Sequence, residues 1–429
     1  MKKIILTILI LGQILMAATI QHIDVNGLKI PLIFENDKRL PIVNMQFVFT
    51  NAGSIRDIDK AGLAKLSARV MNEGTKKMGS SAFAQALETK AISISSSTGR
   101  ETFVMEVSSL KEEFDDALGY FDMLLEDPNT TPQTIQKVKT ITIGSLSAKE
   151  NDFDYVASNQ LKSIMFENTP LANPSLGTIK SIKSITPEDI NNFIKTNLVS
   201  SKLIIVAGGD IEISQLKKKL SKIISKMAVG TKTELKHYDV VKTPKTKTLY
   251  KDTKQAYMYF GSPYNMDEND SDYYKARVAT FILGAGGFGS RLMEEIRVKK
   301  GLAYSAYARI SVNKSCSYFS GYLQTKIDSL DEAKQTTVQT ISEFVKNGVT
   351  KDELEQTKKF ILGSEPLRVE SMSQRLSRTF MEYYKGHKLG YSLKELQKIK
   401  KLKLSELNKF IKKHTEIQKL SFSIVTAKK

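Results

Sequence analysis

Apolar and polar side chains alternate with a period of two in residues 41–53, 101–110, 256–264 and 317–327. Successive side chains of a strand point to opposite faces, so each stretch predicts a β-strand with one buried face. Apolar residues at helical spacing predict helices around 62–71, 111–125, 271–283, 290–299 and 330–346. Long strands followed by paired helices point to an α+β fold, with helices packed on one face of mainly antiparallel sheets.

The pattern also repeats. Residues 184–209, SITPEDINNFIKTNLVSSKLIIVAGG, reappear in altered form as residues 401–427. Phe193 then matches Phe410, and Leu203 matches Leu420, at an offset of 217. Residues 126–146 shadow residues 345–365 at an offset of 219. In each copy a Thr or Ser precedes an acidic first turn, and an amphipathic helix and a β-rich strand follow. The chain therefore reads as two homologous halves, residues 19–228 and 253–429, arranged as a clamshell. A lysine- and threonine-rich linker, residues 229–252, leads into the first strand of the second half.

Residues 1–18 stand apart. Lys2 and Lys3 precede a 13-residue run from Ile4 to Met16, broken only by Thr7, Gly12 and Gln13, and Ala17 and Ala18 follow. A run this short fits a secretory signal peptide better than a membrane span. The expectation is an exported, periplasmic protein, soluble after cleavage. The formal net charge is +18, and removing Lys2 and Lys3 leaves +16. The lysine excess is spread along the chain as a solvated surface and carries no nucleic-acid signature.

Composition narrows the chemistry. With 41% apolar and 26% charged residues the chain is an ordinary globular protein. A single cysteine, Cys316, excludes an intramolecular disulfide framework and multi-cysteine metal sites. The four histidines, His22, His237, His387 and His414, lie far apart in sequence, which argues against a histidine-rich metal centre.

Three segments resemble the pitrilysin and mitochondrial-processing-peptidase family of inverted-motif zinc peptidases. They are NAGSIRDIDKAGLAKLSARVMNEGT (residues 51–75), residues 163–211 late in the first half, and GAGGFGSRLMEEIRVKKGLAYSAYA (residues 284–308). The family's chemistry needs His-x-x-Glu-His on one helix, two imidazoles holding zinc and a glutamate activating water. The ligand positions match Lys65 and Arg69 here, and the base position matches Ala68. Both cations lack a lone pair for zinc at neutral pH. Each would repel a divalent ion by about 8 kcal/mol at ~4 Å and an effective dielectric near 20. The further glutamate ligand falls near Gly144, Ser145 or Leu146, none of them acidic, and Glu150 matches a supporting position at best. This chain is expected to bind no metal and to cut no peptide by itself.

The second-half signature is intact. In the family it supplies an arginine and a tyrosine seven residues apart that reach the substrate, and Arg297 and Tyr304 stand in register with both. The resemblance implies a non-catalytic, substrate-binding subunit of a two-subunit peptidase. Its partner would be a homologous zinc-bearing subunit and its substrate a peptide or unfolded polypeptide. Zinc would then sit on the partner, while Gly284, Gly286, Gly287 and Gly289 would form a loop of the chamber. The alternative is an exported scaffold or binding protein of the same fold, using the basic helix over 398–414 on anionic surfaces.

Other signals are weaker. Gly284-x-Gly286-x-x-Gly289 follows a helix-like run and lacks the acid that a dinucleotide fingerprint needs. Asp267, Glu268, Asp270 and Asp272 miss the EF-hand positions and read as a solvated loop capping the next helix. Cys316 reads as a packed small side chain.

Overall fold

The computed structural model describes residues 18–428, so the signal-peptide reading, centred on residues 1–17, lies outside the described residues. Six of the helices position the site or cover the sheets: α1 (Leu63–Met71), α2 (Phe114–Glu126), α3 (Pro132–Lys149), α4 (Phe153–Met165), α5 (Leu330–Asn347) and α6 (Met372–Tyr384).

Among the described residues, the first compact unit comprises residues 18–144, 175–234 and 366–384. Its sheet contains β1 (Thr19–Val25), β2 (Leu28–Asn36), β3 (Ile42–Thr50), β4 (Ser93–Thr98), β5 (Thr102–Leu110) and β6 (Leu203–Gly209). The strand order is β1-β2-β6-β3-β5-β4, and every pair is antiparallel except β2 with β6. One face packs under α1 and α2, burying Met45, Phe47, Phe49, Phe103 and Phe121. Phe47 and Phe121 meet with ring centroids 4.4 Å apart.

The second unit comprises residues 145–174, 235–365 and 385–428. Its sheet contains β7 (Thr246–Tyr250), β8 (Gln255–Pro263), β9 (Ala303–Val312), β10 (Ser317–Lys326) and β11 (Ser421–Thr426). The order is β7-β11-β8-β10-β9, with only β7 and β11 parallel. Met258, Phe260, Phe319 and Leu323 pack beneath Ile341 and Phe344 of α5. Two α+β layers with mainly antiparallel sheets are what the alternation predicts.

The units are not contiguous stretches of chain. Each takes in a helix from the other half, and the two helices are equivalent, because the offset of 219 carries α4 onto α6 residue for residue. Within the first unit α6 covers the second face of the sheet, where Met372 and Leu376 bury Ile33, Val48, Ile204 and Val206. Gly208 lets α6 approach closely, since a Cβ would lie 2.8 Å from side-chain atoms of both Leu376 and Met372. Within the second unit α4 covers β8 and β11, and Met165 sits 2.5 Å from where a Cβ of Gly261 would be. Covered on both faces, β6 and β11 are buried at every residue, which explains the continuous apolar sequence of β6, while β11 buries Ser421, Ser423 and Thr426 among its apolar residues.

Three readings need amendment. Residues 246–250, inside the segment read as linker, form β7. The basic helix over 398–414 is two helices, Tyr391–Lys401 and Leu404–Lys413, because Leu402 and Lys403 adopt extended backbone between them. The acidic loop does not cap the following helix with a side chain. Asp267 and Asp270 instead accept hydrogen bonds from the backbone of Asn269 and Asp272, and Asp272 pairs with Lys275. Cys316 is fully buried, in keeping with a packed small side chain.

Candidate functional site

In the first unit α1 begins where Gly62 turns the chain with φ +92°. A Cβ there would lie 2.8 Å from the Leu176 carbonyl oxygen, so only glycine fits. The Asp57 carboxylate accepts the N–H groups of Gly62 (3.1 Å) and Ala64 (2.9 Å), satisfying donors at the start of the helix. Ala64, Ala68 and Met71 then face the core, while Lys65 and Arg69 lie half-buried, one turn apart.

Lys65, Ala68 and Arg69 thus lie together on one helix, where the resemblance puts them. Arg69 donates to the Thr142 hydroxyl at 2.7 Å, and that hydroxyl donates to the Val138 carbonyl of α3. Glu73, the nearest acid beyond the helix, is engaged by Lys137 at 2.7 Å and by the Ser80 hydroxyl. Among the described residues no three His, Cys, Asp or Glu side chains converge as ligands. Two cations and a buried methyl group do not fit zinc.

The second unit presents the other element. Residues 281–285 form a π-helical turn, and the glycine-rich loop follows. Gly284 passes so close to β9 that a Cβ would sit 2.7 Å from the Ala308 nitrogen, and Gly287 and Gly289 take φ +65° and +86°. The chain then enters the helical turn Arg291–Met293, which widens into a π-helix over Glu294–Lys299. Arg291 anchors this segment through a bidentate pair with Glu353, at 2.7 and 2.8 Å. Gly301, at φ +61°, ends it; its N–H donates to the Arg297 carbonyl, and the Leu302 N–H to the Ile296 carbonyl. That reversal sends the chain straight into β9, bringing Tyr304 beside Arg297.

The guanidinium carbon of Arg297 lies 4.3 Å from the centroid of the Tyr304 ring and 4.6 Å from that of Phe288. Arg297 is therefore held between two rings that are themselves 80% (Tyr304) and 71% (Phe288) exposed. Among the described residues no carboxylate lies within ion-pair distance of Arg297, and Glu295 is taken by Lys299. Stacking holds the cation in place while its N–H edges stay available to a ligand. Phe288 carries no signal in the sequence. A lone aromatic in a glycine-rich loop has no periodicity, and only its exposure marks it.

Tyr304 also borders an open pocket of about 460 Å³ on the face of the second sheet. Tyr259 and Tyr322 stack there with centroids 5.4 Å apart, and the Tyr259 hydroxyl donates to Asp154 at 3.3 Å. Burial raises the Asp154 carboxyl above its ordinary value.

Comparison with known proteins gives the family and the fold. The family model of insulinase (peptidase family M16) matches residues 33–179, and that of the peptidase M16 inactive domain matches residues 184–361. The chain is 42% identical over 431 residues to a Helicobacter pylori protein named non-peptidase homolog YmxG, covering 100% of this chain and 99% of that one. It is 24% identical over 354 residues to an uncharacterized zinc protease, YmxG, of Bacillus subtilis, covering 82% and 85%. Its fold is similar to a peptidase M16 inactive domain from Pseudomonas fluorescens, with a TM-score of 0.88 at 21% identity, over 96% of this chain and 98% of that one. The periplasmic protease PqqL of Escherichia coli is similar at a TM-score of 0.77 and 13% identity, over 96% of this chain and 46% of its own.

Proposed function

The chain belongs to the M16 peptidase family as a member without the catalytic residues, and from that premise we propose that it is the substrate-binding partner subunit of an exported two-subunit zinc peptidase. In this reading the zinc is held by a homologous partner, and this chain contributes Arg297 and Tyr304 to the peptide-binding chamber. The observation that carries it is the pair itself. A helix with no zinc ligand at the family's ligand positions stands in the same chain as a stacked Arg–Tyr pair, with Tyr304 exposed, Arg297 partly so, and no acidic partner among the described residues. Guanidinium and phenol groups donate hydrogen bonds to a peptide carbonyl, and these strengthen as negative charge develops on its oxygen. Peptide or unfolded polypeptide is the ligand that such donors suit.

Export rests on Lys2, Lys3 and the apolar run after them. No helix among the described residues is long and apolar enough to cross a membrane.

The test begins with affinity purification of the tagged protein from its native cells. A stoichiometric family member with an intact His-x-x-Glu-His is expected with it. Arg297→Ala should then leave the complex intact and remove most of its proteolysis; unchanged proteolysis would sink the role. Recovery of the chain alone, inert toward peptides, would favour an exported scaffold or binding protein of the same fold.

A further inference from the structure

β4 is an outer strand of the first sheet, paired on one side only, with β5. Such an edge exposes a row of backbone N–H and C=O groups that can template another strand. Its sequence, Ser93-Ile94-Ser95-Ser96-Ser97-Thr98, contains no proline, lysine or other charge to discourage pairing. One side chain closes it. The Asn72 amide nitrogen donates to the Ser96 carbonyl at 3.0 Å, and the Ser96 N–H donates to the Asn72 carbonyl oxygen at 2.6 Å.

An N–H points one way only. Both backbone groups of Ser96 engage Asn72, so they face away from β5, along the free edge, as do those of Ile94 and Thr98 two residues away. A carboxamide offers one donor and one acceptor in the geometry of a peptide group. Asn72 therefore occupies the place of one residue of an added strand. Its backbone is fixed as well: Asn72 is the C-cap of α1, and its N–H is bonded to the Arg69 and Val70 carbonyls. The residue lies three positions beyond Arg69, on the helix whose zinc positions are lost.

We propose that Asn72 is a built-in stop that seals the β4 edge, so that the first unit does not accept an extended peptide by strand addition. The inference stands on the first unit alone and is independent of the role given to Arg297 and Tyr304.

The experiment uses the full chain and a fluorescein-labelled nine-residue peptide of alternating valine and threonine, read by fluorescence anisotropy. Asn72→Ala should bind this probe at least tenfold more tightly than the wild type. Adding Ser96→Pro, which removes the outward N–H at an edge position that tolerates proline, should return binding to the wild-type level. A site elsewhere on the chain would be insensitive to Ser96→Pro and is separated by that control. If Asn72→Ala does not fold, Asn72→Asp is read the same way, because it keeps the acceptor for the Ser96 N–H and presents a repulsive oxygen to its carbonyl. A folded variant that binds no more tightly than the wild type overturns the proposal.

Discussion

Arg375 of α6 donates to Oε1 of Glu35, 340 residues earlier in the chain, through Nε at 2.9 Å and Nη2 at 2.5 Å. The Glu35 side chain is only 1% exposed, and the same guanidinium reaches Asp37 and the carbonyls of Val369 and Glu370. This cluster fastens α6 to the end of β2. Breaking a buried pair from one side leaves a charge without compensation and costs about 3–5 kcal/mol. Arg375→Met should lower the urea midpoint accordingly, and adding Glu35→Leu should recover most of the loss. Equal stability of Arg375→Met and the wild type would show that the pair does not hold the helix.

The donor set of α1 predicts indifference to metal. A ligand present at a hundred times its Kd stabilises a fold by about 2.7 kcal/mol, which a thermal melt detects readily. Neither added zinc nor a chelator should move the Tm of the isolated chain. A zinc-dependent rise abolished by altering Lys65 or Arg69 would contradict a helix that holds two cations where ligands would stand.

Lys202 gives a pH signature. It is buried, with its ammonium bonded to the Asn197 side-chain oxygen at 2.8 Å and the Thr196 carbonyl at 3.3 Å. Burial, aided by the charge of Arg56, pushes its pKa from the ordinary 10.5 down to about 8. Between these values the unfolded chain holds a proton that the folded chain has released, so this group makes stability rise with pH across that window. Lys202→Met should flatten the rise in urea midpoints measured at pH 7.5 and 10. A slope identical in the variant would mean that Lys202 stays charged when folded.

Phe288 should matter to binding and hardly to folding. At its exposure, Phe288→Ala is expected to change stability by no more than about 0.5 kcal/mol. A cation–π contact at an exposed site contributes about 0.5–1 kcal/mol, so looser placement of Arg297 should lower kcat/KM of the reconstituted complex roughly two- to fivefold. Phe288→Tyr keeps a ring there and should restore it. Full activity in Phe288→Ala would remove Phe288 from the site.

The elements that could be read from sequence are those whose periodicity reports burial on one face. β5 alternates along its whole length and β3, β8 and β10 along part of theirs, and Arg297 and Tyr304 fall together because a helix end and a glycine reversal separate them. What could not be read depends on partners distant in sequence. The amphipathic pattern of residues 153–165 is the same whichever sheet it covers, so the crossing of α4 and α6 leaves no local trace. β4 is largely serine and has no hydrophobic stripe, and β7 is a short exposed strand defined by its parallel pairing with β11. The seal at Ser96 depends on an asparagine whose identity is unremarkable until its distance to the strand is known.

The crossing of the two helices also sets a timetable. Ile204 and Val206 leave the ribosome about 170 residues ahead of Met372 and Leu376, which cover them in the finished fold. At about 5–20 residues per second, one face of the first sheet waits roughly 10–30 s for its lid. During that interval the apolar surface is open to whatever binds nascent chains. The order in which the polypeptide is made thus builds in a window for chaperones that no single residue encodes.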